Sequence, residues 1–428
     1  MKNLMLCALA LCLALGAVAQ NPDSTQGYQF TDVKIIRSTP VKNQNRSGTC
    51  WCYSTMTLLE NEILRAGGPE MHLSEMWIVR HSFMDKAVKY VRLHGQLNFA
   101  EGGASHDVTE GIKEHGIVPF EVYPGLNYGS DKPDFHEISA VLKAYLDAVI
   151  EASGDTKPLS TAWKRGFNAI LDAYFGPMPE TFTYEGKEYT PQSFAESLPI
   201  RMDDYVDLSS FTHHPFYEPF MIEVPDNWMW ASVWNLPLDE LMQTIDYALE
   251  NGYTIAWGTD VSEKGFSRTK AIGIIPEADT ESMSGTEAER WGKLTEQEKE
   301  AALYKFDKPG KERKIDQQMR QEAFDNYETT DDHGMVTSAR PRTRREMPIT
   351  RYRTRGMSAR PTTDSGTSRA RLSSTRRCRS WSTATPSRRR SARNSAGNNP
   401  DGSTNNENSP ALASRAASFI EVSVSVVF

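Results

Sequence analysis

Asn43-Gln44-Asn45-Arg46-Ser47-Gly48-Thr49-Cys50-Trp51 decides how this chain is read. The stretch is polar up to Thr49. From Cys50 to Ala66 a helical pattern takes over, with Met56, Leu59, Ile63 and Leu64 on one side. Cys50 therefore sits where loop becomes helix, and a helix N-terminus favours the thiolate that a nucleophilic cysteine must be. Gly48 lets another backbone come close. Gln44, six residues upstream, brings a side-chain N–H that can join the Cys50 backbone N–H in facing a developing oxyanion. Taken alone, Cys50 reads as the commoner thing, a buried structural thiol ahead of a helix.

The cysteine inventory bears on that choice. The chain has 428 residues and five cysteines: Cys7, Cys12, Cys50, Cys52 and Cys378. It opens with Lys2, an apolar or small run from Leu4 to Ala19, and Ala17-Val18-Ala19 before Gln20, the layout of a cleaved secretory signal. The run falls short of the roughly 20 residues a spanning helix needs, so the expectation is an exported protein with no membrane anchor after cleavage at Ala19. Two cysteines leave with the signal. Cys50 and Cys52, one residue apart, cannot staple a domain of this size, so a disulfide scaffold is excluded.

Outward from Cys50, Gly67-Gly68 stops the first helix, and Leu73-Ser74-Glu75 opens a second with Ser74 as N-cap. Asn98 to Ser105 is a glycine-containing loop, and Ile138 to Ala152 is an amphipathic helix. Residues 176–236 read as loops with short strands, Leu238 to Asn251 as helix, and Tyr253 to Thr259 as strand. Glu287 to Arg320 reads as charged helix broken at Pro309-Gly310. Helices early and strands later predict an α+β fold.

Gln, then Ser-Gly-x-Cys-Trp with the Cys opening a helix, resembles the active-site segment of papain-like cysteine peptidases, with Thr49 in place of the usual small residue before Cys. Leu73-Ser74-Glu75-Met76 is similar to the family's next helix. Glu101-Gly102-Gly103 is similar to its glycine loop, although Gly102-Gly103 alone reads as a tight turn. Of the histidines, His213-His214 lies in an aromatic loop and reads as surface or packing. His333, in Asp331-Asp332-His333-Gly334-Met335, lies 283 residues after Cys50. That long spacing resembles the bleomycin hydrolase/aminopeptidase C branch, a papain-like core with large insertions. The stretches Ser74 to His81 and Asp239 to Ser262 resemble it too.

The resemblance implies a helical half carrying Cys50 and a β-barrel-like half carrying His333. It implies Cys50 as nucleophile, His333 as general base and acid, Gln44 as oxyanion donor, and Gly102 and Gly103 as substrate-binding backbone. Peptides are the implied substrates, aminopeptidase cleavage the implied reaction, and a homo-hexamer the implied assembly; no metal, organic cofactor or nucleic-acid partner is called for. A metal site of His333 with Asp331 and Asp332 is the competing reading, and no second histidine nearby in sequence supports it.

The likeness ends near Val336. Residues 1–336 carry 30 Lys+Arg against 51 Asp+Glu, and residues 337–428 carry 18 against 5, a change from −21 to +13. All 18 of the later cations are Arg. The Asn-Ser-Trp strand that orients the histidine in the family is missing. The expected organisation is thus a signal peptide over 1–19, a peptidase domain over 20–336 and an unstructured tail over 337–428. Back-translation suggests the tail's origin. With suitable codons for Met347 to Gly356, dropping two bases turns the reading into Ala-Tyr-Tyr-Gln-Val-Gln-Asn-Ser-Trp. The same shift over Arg371 to Thr383 gives Phe-Val-Glu-Tyr-Lys-Thr-Met-Ser-Ile-Met-Val-Asn. A frameshift is the preferred reading. A catalytically inactive peptide-binding or assembly protein and a nucleic-acid-binding Arg-rich tail are the alternatives.

Overall fold

Helix α1 (Cys50–Arg65) starts at the residue where the sequence turns helical, and its position organises the rest. It is buried on nearly every side: Trp51, Cys52 and the whole run from Ser54 to Ile63 are buried. One flank packs against helices and the other against a sheet. The computed structural model describes residues 30–343 and 423–427, except 154–157, 271, 282, 308 and 331. The chain divides into two compact units, 1–358 with 421–428 and 359–420, and every described residue belongs to the first. The signal segment with Cys7 and Cys12, and Cys378, lie outside the described residues.

The helical half contains α1, α2 (Glu75–Arg92), α3 (Ser105–His115), α4 (His136–Glu151), α5 (Ala162–Phe175) and α6 (Pro191–Ser197). Ser74 caps α2 as expected, its hydroxyl accepting from the Trp77 N–H at 3.1 Å. Met56, Leu59, Ile63, Met76, Ile78, Phe135, Leu142, Phe167 and Phe175 fill one apolar core. Helix α7 (Leu238–Glu250) packs instead under the sheet, where Leu241, Ile245 and Leu249 meet Leu208 and Ile255.

The strands are β1 (Phe30–Ile35), β2 (Phe182–Tyr184), β3 (Lys187–Tyr189), β4 (Tyr205–Ser209), β5 (Pro219–Met221), β6 (Ser232–Asn235) and β7 (Ile255–Thr259). They continue with β8 (Phe266–Ser267), β9 (Ile272–Gly273), β10 (Pro276–Glu277), β11 (Lys311–Glu312), β12 (His333–Thr337), β13 (Ala339–Thr343) and β14 (Ser423–Val427). Six of them form an open sheet in the order β12-β7-β14-β4-β6-β5. β12 runs antiparallel to β7, with His333 opposite Thr259 and Gly334 opposite Gly258. β13 turns away to pair with β1. The α+β, two-half architecture stands, with Cys50 on the helical half and His333 on the half built of strands.

Three departures from the sequence reading have physical causes. Glu287–Arg320 is not one broken helix: α8 (Gly285–Gly292), α9 (Glu296–Leu303) and α10 (Gln317–Asp325) are separate. Thr295 restarts the chain as N-cap of α9 in a capping box with Glu298, and Lys311–Glu312 pairs with Pro276–Glu277. Helices α3 and α5 had no counterpart in the sequence reading, and α6 lies in the stretch 176–236 read as loops and short strands. Finally, strand structure extends past Val336 through Thr343, and Ser423–Val427 lies parallel to both β7 and β4. Its alternating β-branched sequence suits the slot between two strands that would otherwise be edges. Residues 344–422 lie outside the described residues. No described helix is long and apolar enough to cross a membrane.

Candidate active site

The loop before Cys50 is held from both sides. The Gln44 side-chain Nε2 donates to the Ser47 carbonyl at 2.8 Å, and the Ser47 hydroxyl donates back to the Gln44 carbonyl at 2.8 Å. These reciprocal bonds close a tight loop and leave the second Nε2 hydrogen of Gln44 for another acceptor. The Gly48 N–H donates to a Glu101 carboxylate oxygen. The other Glu101 oxygen accepts from Ser139 at the start of α4, at 2.5 Å. Trp51 Nε1 donates to the Glu101 carbonyl at 3.0 Å. The glycine loop and the nucleophile loop are thereby tied together.

At the foot of the same loop Lys42 reaches inward. Its ammonium lies 2.5 Å from Glu60 of α1 and 2.7 Å from Glu75 of α2, and both glutamate side chains are fully buried. His72 also faces Glu75, at 3.1 Å. Burial alone would raise the Glu75 pKa, but Lys42 and His72 together outweigh it and hold the carboxyl down at about 2.

Gln44, Gly48, Cys50, Gly102, Gly103, Trp257, Gly258, Asp332, His333 and Gly334 line one cleft of about 620 Å³, within the ~300–1,000 Å³ common for ligand sites. All five residues singled out as the site (Cys50, His333, Gln44, Gly102 and Gly103) therefore share it, from segments as far apart as the glycine loop and β12. Cys50 opens α1 on the helical side; His333 opens β12 on the sheet side. The two walls meet at Gly334. A Cβ there would come within 3.1 Å of the Cys50 carbonyl group and 2.8 Å of Ser54 Oγ. We expect Gly334→Ala to push β12 off α1 and slow alkylation of Cys50 by iodoacetamide several-fold with little change in melting temperature. An unchanged rate would show that the close approach does not set the geometry.

Burial lowers the pKa of His333, the nearby Arg268 guanidinium lowers it further, and Asp332 pulls it partly back. The imidazole thus needs a closer anion to hold a proton, and a thiolate across the cleft is the available kind. No described residue forms a hydrogen bond with the His333 ring. The carboxylate of Asp332 is engaged elsewhere, accepting from the Val261 and Ser262 backbone N–H groups at 2.8 and 3.2 Å. Asp331, the other residue of the competing metal reading, lies outside the described residues. Cys52, two residues on, is fully buried. Burial drives its pKa well up, with the Glu75 charge adding to the effect.

Among the described residues, three other groups each bring three metal-ligating side chains within reach of one another: His213/His214/Glu223, Glu60/His72/Glu75 and Asp85/Glu114/His115. In the first, Glu223 accepts from both imidazoles, at 3.0 and 2.9 Å, and the rings pack on Phe220 and Phe324. This agrees with the surface or packing role read from the sequence, His213 being exposed and His214 half-buried. In the second, Lys42 supplies the charge a cation would bring.

Residues 28–141 match the papain family cysteine protease model. Aminopeptidase G of Lactobacillus delbrueckii subsp. lactis is 25% identical over 259 residues, 52% of this chain and 59% of that protein. Human cathepsin L2 is 36% identical over 74 residues, 15% of this chain and 22% of that protein. Among solved structures, PepW from Lactobacillus rhamnosis HN001 superposes with a TM-score of 0.52, covering 79% of this chain and 80% of that one at 18% identity. This last likeness speaks to fold alone. The chain spans under two thirds of the two curated relatives' lengths. Residues 28–141 are thus similar to papain family cysteine proteases, and the superposition shows a fold shared with PepW.

Proposed function

We propose that the chain is built as a cysteine aminopeptidase. Cys50 attacks the peptide carbonyl as thiolate, and His333 carries its proton to the leaving amine. An acyl-enzyme forms on Cys50 Sγ, and water then releases it. The Cys50 N–H and the free Nε2 hydrogen of Gln44 face the developing oxyanion. The observation that carries this reading is the convergence of Gln44, Cys50 and His333 on one cleft, with Cys50 at a helix N-terminus. Fast alkylation of Cys50 by a thiol-directed epoxide at neutral pH is the test, with Cys52 inert. Labelling that survives Cys50→Ser but is lost in Cys52→Ser would overturn the assignment.

A second reading, impaired catalysis in the chain as written, is favoured by the state of His333. Among the described residues nothing orients its ring, and β12 is an edge strand of the sheet. A shifted reading frame beyond Val336 would account for both, since with suitable codons for Met347 to Gly356 it encodes an Asn-Ser-Trp strand. The Lys2, Leu4–Ala19 and Ala17-Val18-Ala19 layout carries the proposed export after cleavage at Ala19, and the family resemblance carries a hexamer around an inner cavity. Intact mass and size-exclusion chromatography of the secreted protein check these two.

A further inference from the structure

The acyl side of the cleft can be told from the leaving side by the chemistry proposed above, on which this inference rests. His333 delivers a proton to the departing amine, so the leaving group lies along the β12 wall. The amino-terminal part of the substrate lies along the opposite wall, where Gly102 and Gly103 offer bare backbone. A Cβ on Gly102 would overlap the carboxylate of Asp226, and one on Gly103 would press on Trp51. Asp226 comes from the loop between β5 and β6 and lines the same cleft.

The surroundings of this carboxylate are unbalanced. Oδ1 accepts from Asn98 Nδ2 at 3.0 Å. No described Lys or Arg lies within ion-pair distance of it. Lys86, the nearest cation by its influence, is spent on the glycine loop, donating to the Ala100 and Gly102 carbonyls at 2.8 and 2.6 Å. Glu101 and Asp107 add further negative charge around that lysine. Burial raises the Asp226 pKa, with Lys86 and the Asn98 bond only partly countering it. A half-buried carboxylate at the end of a peptide cleft, with its nearest cation committed elsewhere, matches an arriving ammonium group.

We propose that Asp226 is the receptor for the free amino terminus, pairing with the α-ammonium of the substrate's first residue laid against Gly102. The residue then sets the class of substrate: peptides with an unblocked amino end, cleaved from that end.

Calorimetric titration with leucinamide and N-acetyl-leucinamide tests this on the full chain. Wild type is expected to bind the free amine about 10- to 100-fold more tightly, the worth of a charged hydrogen-bonded pair. Asp226→Asn, which keeps the shape and the Asn98 contact, is expected to bind the two compounds equally. In the wild type the preference should fade as pH rises past the α-amino pKa of about 8, a check that needs no variant. An Asp226→Asn protein that keeps the preference, or a wild type that never shows it, would overturn the proposal. Iodoacetamide, which carries no amine, reads the peptidase assignment separately. Sluggish alkylation of Cys50 beside an intact amine preference would sink that assignment and leave the amino-terminus site standing.

Discussion

Lys42→Met should destabilise the protein by about 3–5 kcal/mol at neutral pH, the cost of leaving buried carboxylates without their counter-charge. The lysine stands between Glu60 and Glu75, whose side chains have no exposure at all. It also sits at the base of the loop that carries Gln44 to Cys50. Glu60 fixes that base independently, accepting from the Leu73 N–H at 2.8 Å and the Thr39 hydroxyl at 2.9 Å. The pH dependence follows from the direction of the Glu75 shift. A carboxyl held at about 2 in the folded state contributes stability that is complete above the unfolded value of about 4.3. That contribution is lost as pH falls toward 2. In the variant the two carboxyls repel each other and share burial, so they take up a proton on folding and gain stability as pH falls. Wild-type and variant urea midpoints should therefore differ most at neutral pH and converge in acid. Adding Glu60→Gln and Glu75→Gln to the variant should recover part of the loss. A neutral-pH difference under about 1 kcal/mol, the scale of a solvent-exposed pair, would show that the network is not the anchor described.

This network marks where sequence reading reaches its limit. The loop-to-helix switch at Cys50, the Ser74 cap and the helix at Leu238–Glu250 follow from local chemistry and regular spacing, and all were legible. His333 was placed by residue order and flanking residues. Helix α3 was not legible because its buried face mixes His106 and Asp107 with Val108 and Ile112, so no apolar stripe shows. The Thr295…Glu298 capping box was present in the sequence as a helix start and went unread. Nothing local distinguishes Lys42 from any other lysine in a polar loop. Its role exists only because two glutamates from successive helices turn inward at the same point. Asp226 is the same kind of case: a carboxylate in a stretch of Pro and aromatics, given meaning by a glycine 124 residues away.

Correcting the proposed frameshift beyond Val336 should raise turnover of aminoacyl amides by about 10²- to 10⁴-fold, the range associated with a general base that is mis-oriented or in the wrong tautomer. In the chain as written no described group holds the His333 ring, and burial with the Arg268 charge disfavours its protonated form. An Asn encoded across Arg353 and Thr354 in the shifted frame would supply the missing partner. The strand carrying it has a place to go, because among the described residues β12 ends the six-stranded sheet, and such an edge is a site for one more strand. Stability should rise with rate, since pairing β12 would also cover Gly334 and the start of α1. The position of β14 makes the comparison sharper. Ser423–Val427 lies between β7 and β4 and reaches the level of Gly258, beside the cleft. Truncating the written chain after residue 422 should therefore lower its melting temperature, while the frame-corrected chain has no such segment to lose. Equal turnover and equal melting temperature for the written and corrected chains would refute the frameshift. The Arg-rich stretch would then have to be explained as a working part of the protein.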